Sequence, residues 1–141
     1  MSYCEITDIS AVIANDDLVQ LTNDSGGSTV DNTKITEAIS YVDSIMDGYL
    51  RGRYSLPLST VPDVLTSLAI DFTVYRLYSR RLYTEIPPSV DEKYREVVKT
   101  LKDIQGGRFN LGIETASSNS YFKTNKTSSS KEYNSKMWDT Y

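Results

Sequence analysis

Apolar residues recur at three- and four-residue steps through three long stretches of this chain, a spacing that puts them on one side of a helix. Ile35, Ala38, Ile39, Val42, Ile45, Met46 and Tyr49 form the first stripe, with Asn32 or Thr33 available as its N-cap. Pro62 suits the opening turn of the second. That stretch carries Val64, Leu65, Leu68, Phe72, Tyr75, Leu77, Tyr78 and Leu82, and it closes on Arg80-Arg81, cations that complement a helix dipole, before the Pro87-Pro88 break. Its apolar positions cover more than one face, which predicts the central helix. The third opens on Ser89-Val90-Asp91-Glu92, which has the form of a capping box. It continues through Val90, Tyr94, Val97, Val98, Leu101 and Ile104 to a stop at Gly106-Gly107.

The rest of the chain is patterned more weakly. Thr7 or Asp8 can cap a short turn bearing Ile9, Val12 and Ile13, and a second short piece carries Leu18, Val19 and Leu21. Thr22 to Asp31 is turn chemistry throughout and reads as a surface loop. Gly48, near the end of the first long helix, costs about 1 kcal/mol relative to Ala, which predicts either a closely approaching backbone or a frayed helix end. Between the first two long helices lies the corner from Asp43 to Pro62, in which Pro57 rules out a central strand and favours an extended crossing loop. Phe109, Leu111 and Ile113 can still pack on a bundle, but from Thr115 to Tyr141 about half the residues are Ser, Thr or Asn. Such a composition buries too little apolar area to offset its ordering entropy. The reading is therefore all-α: a small bundle of three to four helices with an extended loop and a polar C-terminal arm. Residues 1–113 form the helical domain, and residues 114–141 form an arm that orders only on a partner.

Composition narrows the chemistry. The 141 residues carry a net charge of -4 and no histidine, so the commonest general base and metal ligand are missing, as is the overall basic character of a protein that grips nucleic acid. One cysteine, Cys4, cannot make an intrachain disulfide and reads as a small hydrophobe in a reduced compartment. Neither a signal peptide nor a run of apolar residues long enough to span a membrane is visible. Tyrosine dominates the aromatics, 11 against 3 Phe and 1 Trp, a palette suited to wet protein interfaces.

No enzyme or cofactor site emerges. Asp16-Asp17 and Asn23-Asp24 fit no calcium-loop spacing and read as solvated loop; Ser128 to Lys131 has the letters of a Ser-x-x-Lys motif but lies in the polar arm. Asp71 shares a helix face with Leu68, Tyr75 and Tyr78, and a half-buried carboxylate needs a partner. Arg51 or Arg53 of the corner is the expected one, as a structural ion pair. Arg76, Arg80 and Arg81, flanked by tyrosines, suit either a subunit interface or, as the alternative, a DNA-binding regulator that holds nucleic acid on an Arg/Tyr ridge. Met137, Trp138 and Tyr141 make the one hydrophobic cluster of the arm, apt for docking. Tyr54, Leu56, Pro57 and Leu58, in the loop Tyr54 to Thr60, are the expected subunit contact.

The run Asp47-Gly48-Tyr49-Leu50-Arg51-Gly52-Arg53-Tyr54, followed by Leu56-Pro57-Leu58 and Val61-Pro62, resembles the signature of the Mu-like phage head-tail connector (head completion or adaptor) family. Ala69 to Phe72, Tyr75 to Tyr78 and Tyr94 to Gly107 extend the likeness, which covers about residues 3 to 113. The loop Thr22 to Asp31 and the chain after Glu114 have no clear counterpart. The resemblance implies a structural virion protein of the head-tail neck, assembled in the host cytoplasm. Its partners would be the portal protein, a tail-side connector or terminator protein, and its own copies in a ring, a dodecamer if it matches the portal. Genomic DNA would pass through that ring without sequence-specific binding, with no membrane and no cofactor involved.

Overall fold

The computed structural model describes residues 1–116, and all of its regular structure is helical. There are five helices: α1 (Ile6–Val12), α2 (Asn15–Thr22), α3 (Asn32–Leu50), α4 (Asp63–Ser79) and α5 (Pro88–Gln105). The three long ones pack against one another, while α1 and α2 lie across α3 and α4. The two short pieces are thus helices in their own right, which raises the count above the three to four expected.

Burial follows the apolar stripes. Helix α3 buries Ile35, Ala38, Ile39, Val42, Met46 and Leu50, a single face. Helix α4 buries Leu65, Leu68, Ala69, Phe72, Thr73, Val74 and Leu77, positions that wrap around it, as the central element requires. Helix α5 buries only Val97, Leu101 and Ile104 and covers the bundle from outside.

The helix ends differ in detail from the sequence reading. Asp31, not Asn32 or Thr33, caps α3, its carboxylate accepting from the Thr33 amide. Pro88 starts α5, so Ser89 falls inside the helix and the capping box goes unused. Helix α4 stops at Ser79, which leaves Arg81, Leu82 and Tyr83 in the following turn. Gly48 sits in an unbroken helix with open space where a Cβ would be, so neither a close backbone nor fraying explains it.

The corner draws both ends of the described chain together. The Tyr54 amide donates to the Leu50 carbonyl at 2.8 Å and closes the last turn of α3. Its ring is 1 % exposed, and its hydroxyl accepts from the Leu111 amide beyond α5. The Ala116 amide donates to the Arg53 carbonyl at 2.9 Å, so the chain remains attached to the corner past the expected boundary at 113. From the other end, Met1 brings its sulfur against the Leu58 amide. The Leu56-Pro57 peptide is cis. Tyr3 anchors the N-terminus to α3, its hydroxyl donating to Asp47 and its amide to Asp43.

Candidate interface surfaces

Two arginines after α4 build the first surface. The C-terminal end of a helix leaves carbonyls unpaired and attracts cations, but Arg80 and Arg81 reach instead to the loop between α2 and α3. Both guanidinium groups grip Asp24, Arg81 at 2.8 Å. Arg80 also donates to the Leu21 carbonyl at 3.0 Å and Arg81 to the Asn23 carbonyl at 2.8 Å. The loop is shaped to present these acceptors. The Asn23 side chain accepts from the Ser25 and Gly27 amides and donates to the Thr29 carbonyl, with Gly26 in the left-handed region at φ 76°. The buried Thr22 hydroxyl donates to the Leu18 carbonyl and accepts from the Asp31 amide. Hydrogen bonds from Arg81 and Arg80 hold the Asp24 carboxyl below the usual carboxylate range. A loop that reads as solvated is therefore latched to the end of the central helix.

The latch carries a tip. Thr84 donates its amide to the Arg81 carbonyl and tightens the turn, and between them Leu82 is 94 % exposed and Tyr83 100 % exposed. No other large apolar side chains among the described residues stand so far out of the bundle.

A second surface is a tyrosine face across the three long helices. Tyr75 of α4 stacks on Tyr94 of α5 with ring centroids 3.8 Å apart, and Phe72 tilts against the same ring at 5.3 Å. Arg76 lies over the exposed ring of Tyr41 on α3, 4.1 Å from its centroid. Burial, with the neighbouring hydroxyls of Tyr75, Tyr41 and Tyr49, pushes the Tyr94 phenol up. These side chains join an apolar body to a wet edge, the character of interface residues.

Several expected site residues fall elsewhere. Asp71 pairs with Lys93 of α5 at 3.2 Å, and among the described residues neither Arg51 nor Arg53 is its partner. The reason is placement: Arg51 is exposed beyond the end of α3, and Arg53 folds onto the turn after α5, against Gly107. Among the described residues its buried Nε finds no acceptor there, although the guanidinium lies 6.0 Å from the Tyr54 ring. Tyr54 and Leu58 belong to the core, so of the four residues expected to meet another subunit only half-buried Leu56 and exposed Pro57 offer surface. Arg80 and Arg81 are tied within their own chain and Arg76 is held on Tyr41, so the three do not form a free ridge. Met137, Trp138 and Tyr141 lie outside the described residues. The latch escaped the sequence reading because Asp24 and Arg80 are far apart in the chain. A visible signal was the pair of adjacent arginines at a helix end.

Among the described residues no cluster of three or more His, Cys, Asp or Glu is placed to hold a metal ion, and no helix is long and apolar enough to cross a membrane. What these residues define is a small helical bundle whose distinctive chemistry lies on its outside, in a latched tip and a tyrosine face. The chain belongs to the family described as Bacteriophage Mu, Gp36, which matches residues 3–129. Among its relatives, the Mu-like prophage FluMu protein gp36 of Haemophilus influenzae is 31% identical over 85 residues, 60% of this chain and 57% of that protein. Gene product J of Escherichia phage Mu is 25% identical over 116 residues, 82% of this chain and 79% of that protein. The chain thus spans little more than half the length of the first of these relatives.

Proposed function

We propose that this chain is a structural virion protein, a head-tail connector that forms a homo-oligomeric ring between the portal and the tail. The observation that carries this reading is the family match over residues 3–129, which includes the corner whose residues resemble the connector signature. The surface supports it. A ring of identical subunits needs two different, complementary patches on each copy, and a tyrosine face with arginines flanking it suits such contacts. A net charge of -4 favours DNA passing through the lumen over DNA sticking to it. The partners are the portal protein, a tail-side connector or terminator protein, and the neighbouring copies; the place of action is the neck of the virion. The Lys136–Tyr141 cluster, outside the described residues, serves as a docking arm toward the portal or a neighbour.

Mixing the purified chain with portal and measuring mass, or imaging the particles, tests the reading. A ring seated on the portal is expected, and a chain that remains monomeric beside intact portal overturns it. Particles assembled without the chain should be DNA-filled heads that carry no tails. Tight, salt-sensitive binding to duplex DNA would instead point to a regulator, a reading that the engaged state of Arg76, Arg80 and Arg81 disfavours.

A further inference from the structure

Beyond α5 the chain crosses back over the corner as a strap, Arg108 to Ala116, and the hold between the two is thin. Only Leu111 of the strap is buried; Ile113 and the rest are half-buried or exposed. Among the described residues, two backbone amides join it to the corner. Leu111 donates to the Tyr54 hydroxyl at 3.4 Å, a long hydrogen bond, and Ala116 to the Arg53 carbonyl at 2.9 Å. A cavity of about 540 Å³ lies between Ser55, Pro57 and Ser59 of the corner and Gly112 to Ala116 of the strap, so the strap bridges the corner more than it packs on it. The strap leaves α5 through Gly106-Gly107, with Gly107 at φ 77° and the Arg53 guanidinium lying where its Cβ would be. Beside this turn is the Arg53 Nε, buried and without a partner among the described residues. A buried donor with no acceptor has lost its hydration without return, a standing cost of the closed turn that ends when the turn straightens and Arg53 reaches water. Straightening gives up the bonds of the Arg108 and Phe109 amides to the Asp103 carbonyl, and both residues are exposed, so water takes their place.

We propose that on assembly the strap leaves the corner of its own chain, pivoting on Gly106-Gly107, and closes on the same corner of a neighbouring copy. The occupant is a second copy of this chain because the corner already accepts this segment, with Leu111 seated at Tyr54 and Ala116 on Arg53, and an identical strap makes identical contacts. Exchange therefore keeps the contacts of the closed strap and removes the cost at its turn. Strap and corner are different patches, so the exchange runs head to tail and closes into a ring when the rotation allows. Leu111 follows Gly107 closely, within a reach of at most about 14 Å, so the neighbour's corner has to lie against the α5 end of the bundle. This inference rests on the ring reading above and names the contact by which the ring is built.

One pair of cysteines reads both states. Ser55 and Thr115 are exposed and line the cavity between corner and strap, so Ser55→Cys with Thr115→Cys retains the fold, and the native Cys4 is buried and does not compete. In the dilute free chain a short bifunctional maleimide should link the two within one molecule. Applied to the ring formed on portal, it should instead give a ladder of covalent oligomers in a denaturing gel, while each single-cysteine chain stops at dimers or below. A chain linked beforehand should stay folded by circular dichroism and assemble at least tenfold more weakly. A ring whose links stay within each chain, or one that forms equally well from the linked chain, overturns the exchange and leaves the ring reading standing. Absence of any ring from the unlinked chain overturns both.

Discussion

Asp24 shows how one exposed side chain can organise a surface. Its carboxylate gathers two guanidinium groups, and their hydrogen bonds hold its pKa below the ordinary 3.8. A carboxyl depressed by folding adds stability that is fully present above the unfolded value and is lost as pH falls through the folded one. The latch should therefore open only in acid, below about pH 3.8, seen as faster hydrogen exchange in residues 23–31 and 80–84. Asp24→Asn should show that faster exchange at neutral pH, with little change in global melting, since the pair is solvent-exposed. Cys4 behaves in the opposite sense. Burial pushes its thiol up to about 11, and its sulfur lies 3.9 Å from the Thr73 hydroxyl in the core. Thiolate is the reactive form, so Cys4 should ignore an aromatic disulfide reagent at pH 7 until denaturant is added. Rapid labelling of the native protein would contradict that burial. Gly107 is constrained twice, by φ 77° and by the Arg53 guanidinium lying where a Cβ would go. Gly107→Ala should cost about 1–2 kcal/mol, from the left-handed backbone alone, in chemical denaturation.

Among the elements, α4 and α5 illustrate two ways of being helical. α4 is held by its neighbours on nearly all sides, and its apolar positions do not resolve into one stripe. α5 has a narrow apolar edge and a charged outer face supported by the Asp91–Arg95 pair one turn apart. Its attachment depends on few side chains, of which Leu101 is fully buried. Leu101→Ala should destabilise by about 2–5 kcal/mol, the usual range for an aliphatic core truncation, and lower the thermal midpoint accordingly. A loss under 1 kcal/mol would mean that α5 is not essential to the core. The helix boundaries followed different rules. Apolar spacing set the extent of α3 and α5 to within a few residues, whereas the N-cap positions fell on Asp31, one residue before the expected Asn32, and on Pro87, two residues before the expected Ser89. Capping preferences are shared by adjacent Asn, Asp, Ser and Thr, so the sequence offered several candidates with similar energies.

For the molecule as a whole, the corner is a clasp. Tyr54 receives the Leu111 amide, Arg53 the Ala116 amide, and Leu58 meets Met1, so three distant segments converge on one loop. Removing the Tyr54 ring should therefore act beyond its own site. Tyr54→Ala is expected to cost about 3–5 kcal/mol, by analogy with other aromatic truncations, and to expose the Leu111 amide to exchange. Retained protection at Leu111 would show that the clasp does not depend on the ring. Its placement also changes what the loop can offer to another subunit, since its most conspicuous aromatic is spent on the interior. What stays on the outside of the bundle is the tip of Leu82 and Tyr83 and the tyrosine face around Tyr41.

By itself, the sequence determined the all-α class, the three long helices, the centrality of α4 and the family, because each of these is written in local spacing or in a contiguous run of residues. Helical periodicity needs only neighbours three and four positions apart, and the corner signature needs only adjacent letters. Which charges pair was decided by the tertiary structure alone. Asp71 had two plausible arginines in the chain and found Lys93, and Asp24 read as solvent-facing until Arg80 and Arg81 were brought to it. Long side chains on well-separated helices have many partners of opposite sign within reach of a sequence argument, and only packing selects among them. The corner was recognisable from its letters, but its buried tyrosine and its hold on both ends of the described chain came from contacts between residues more than fifty positions apart.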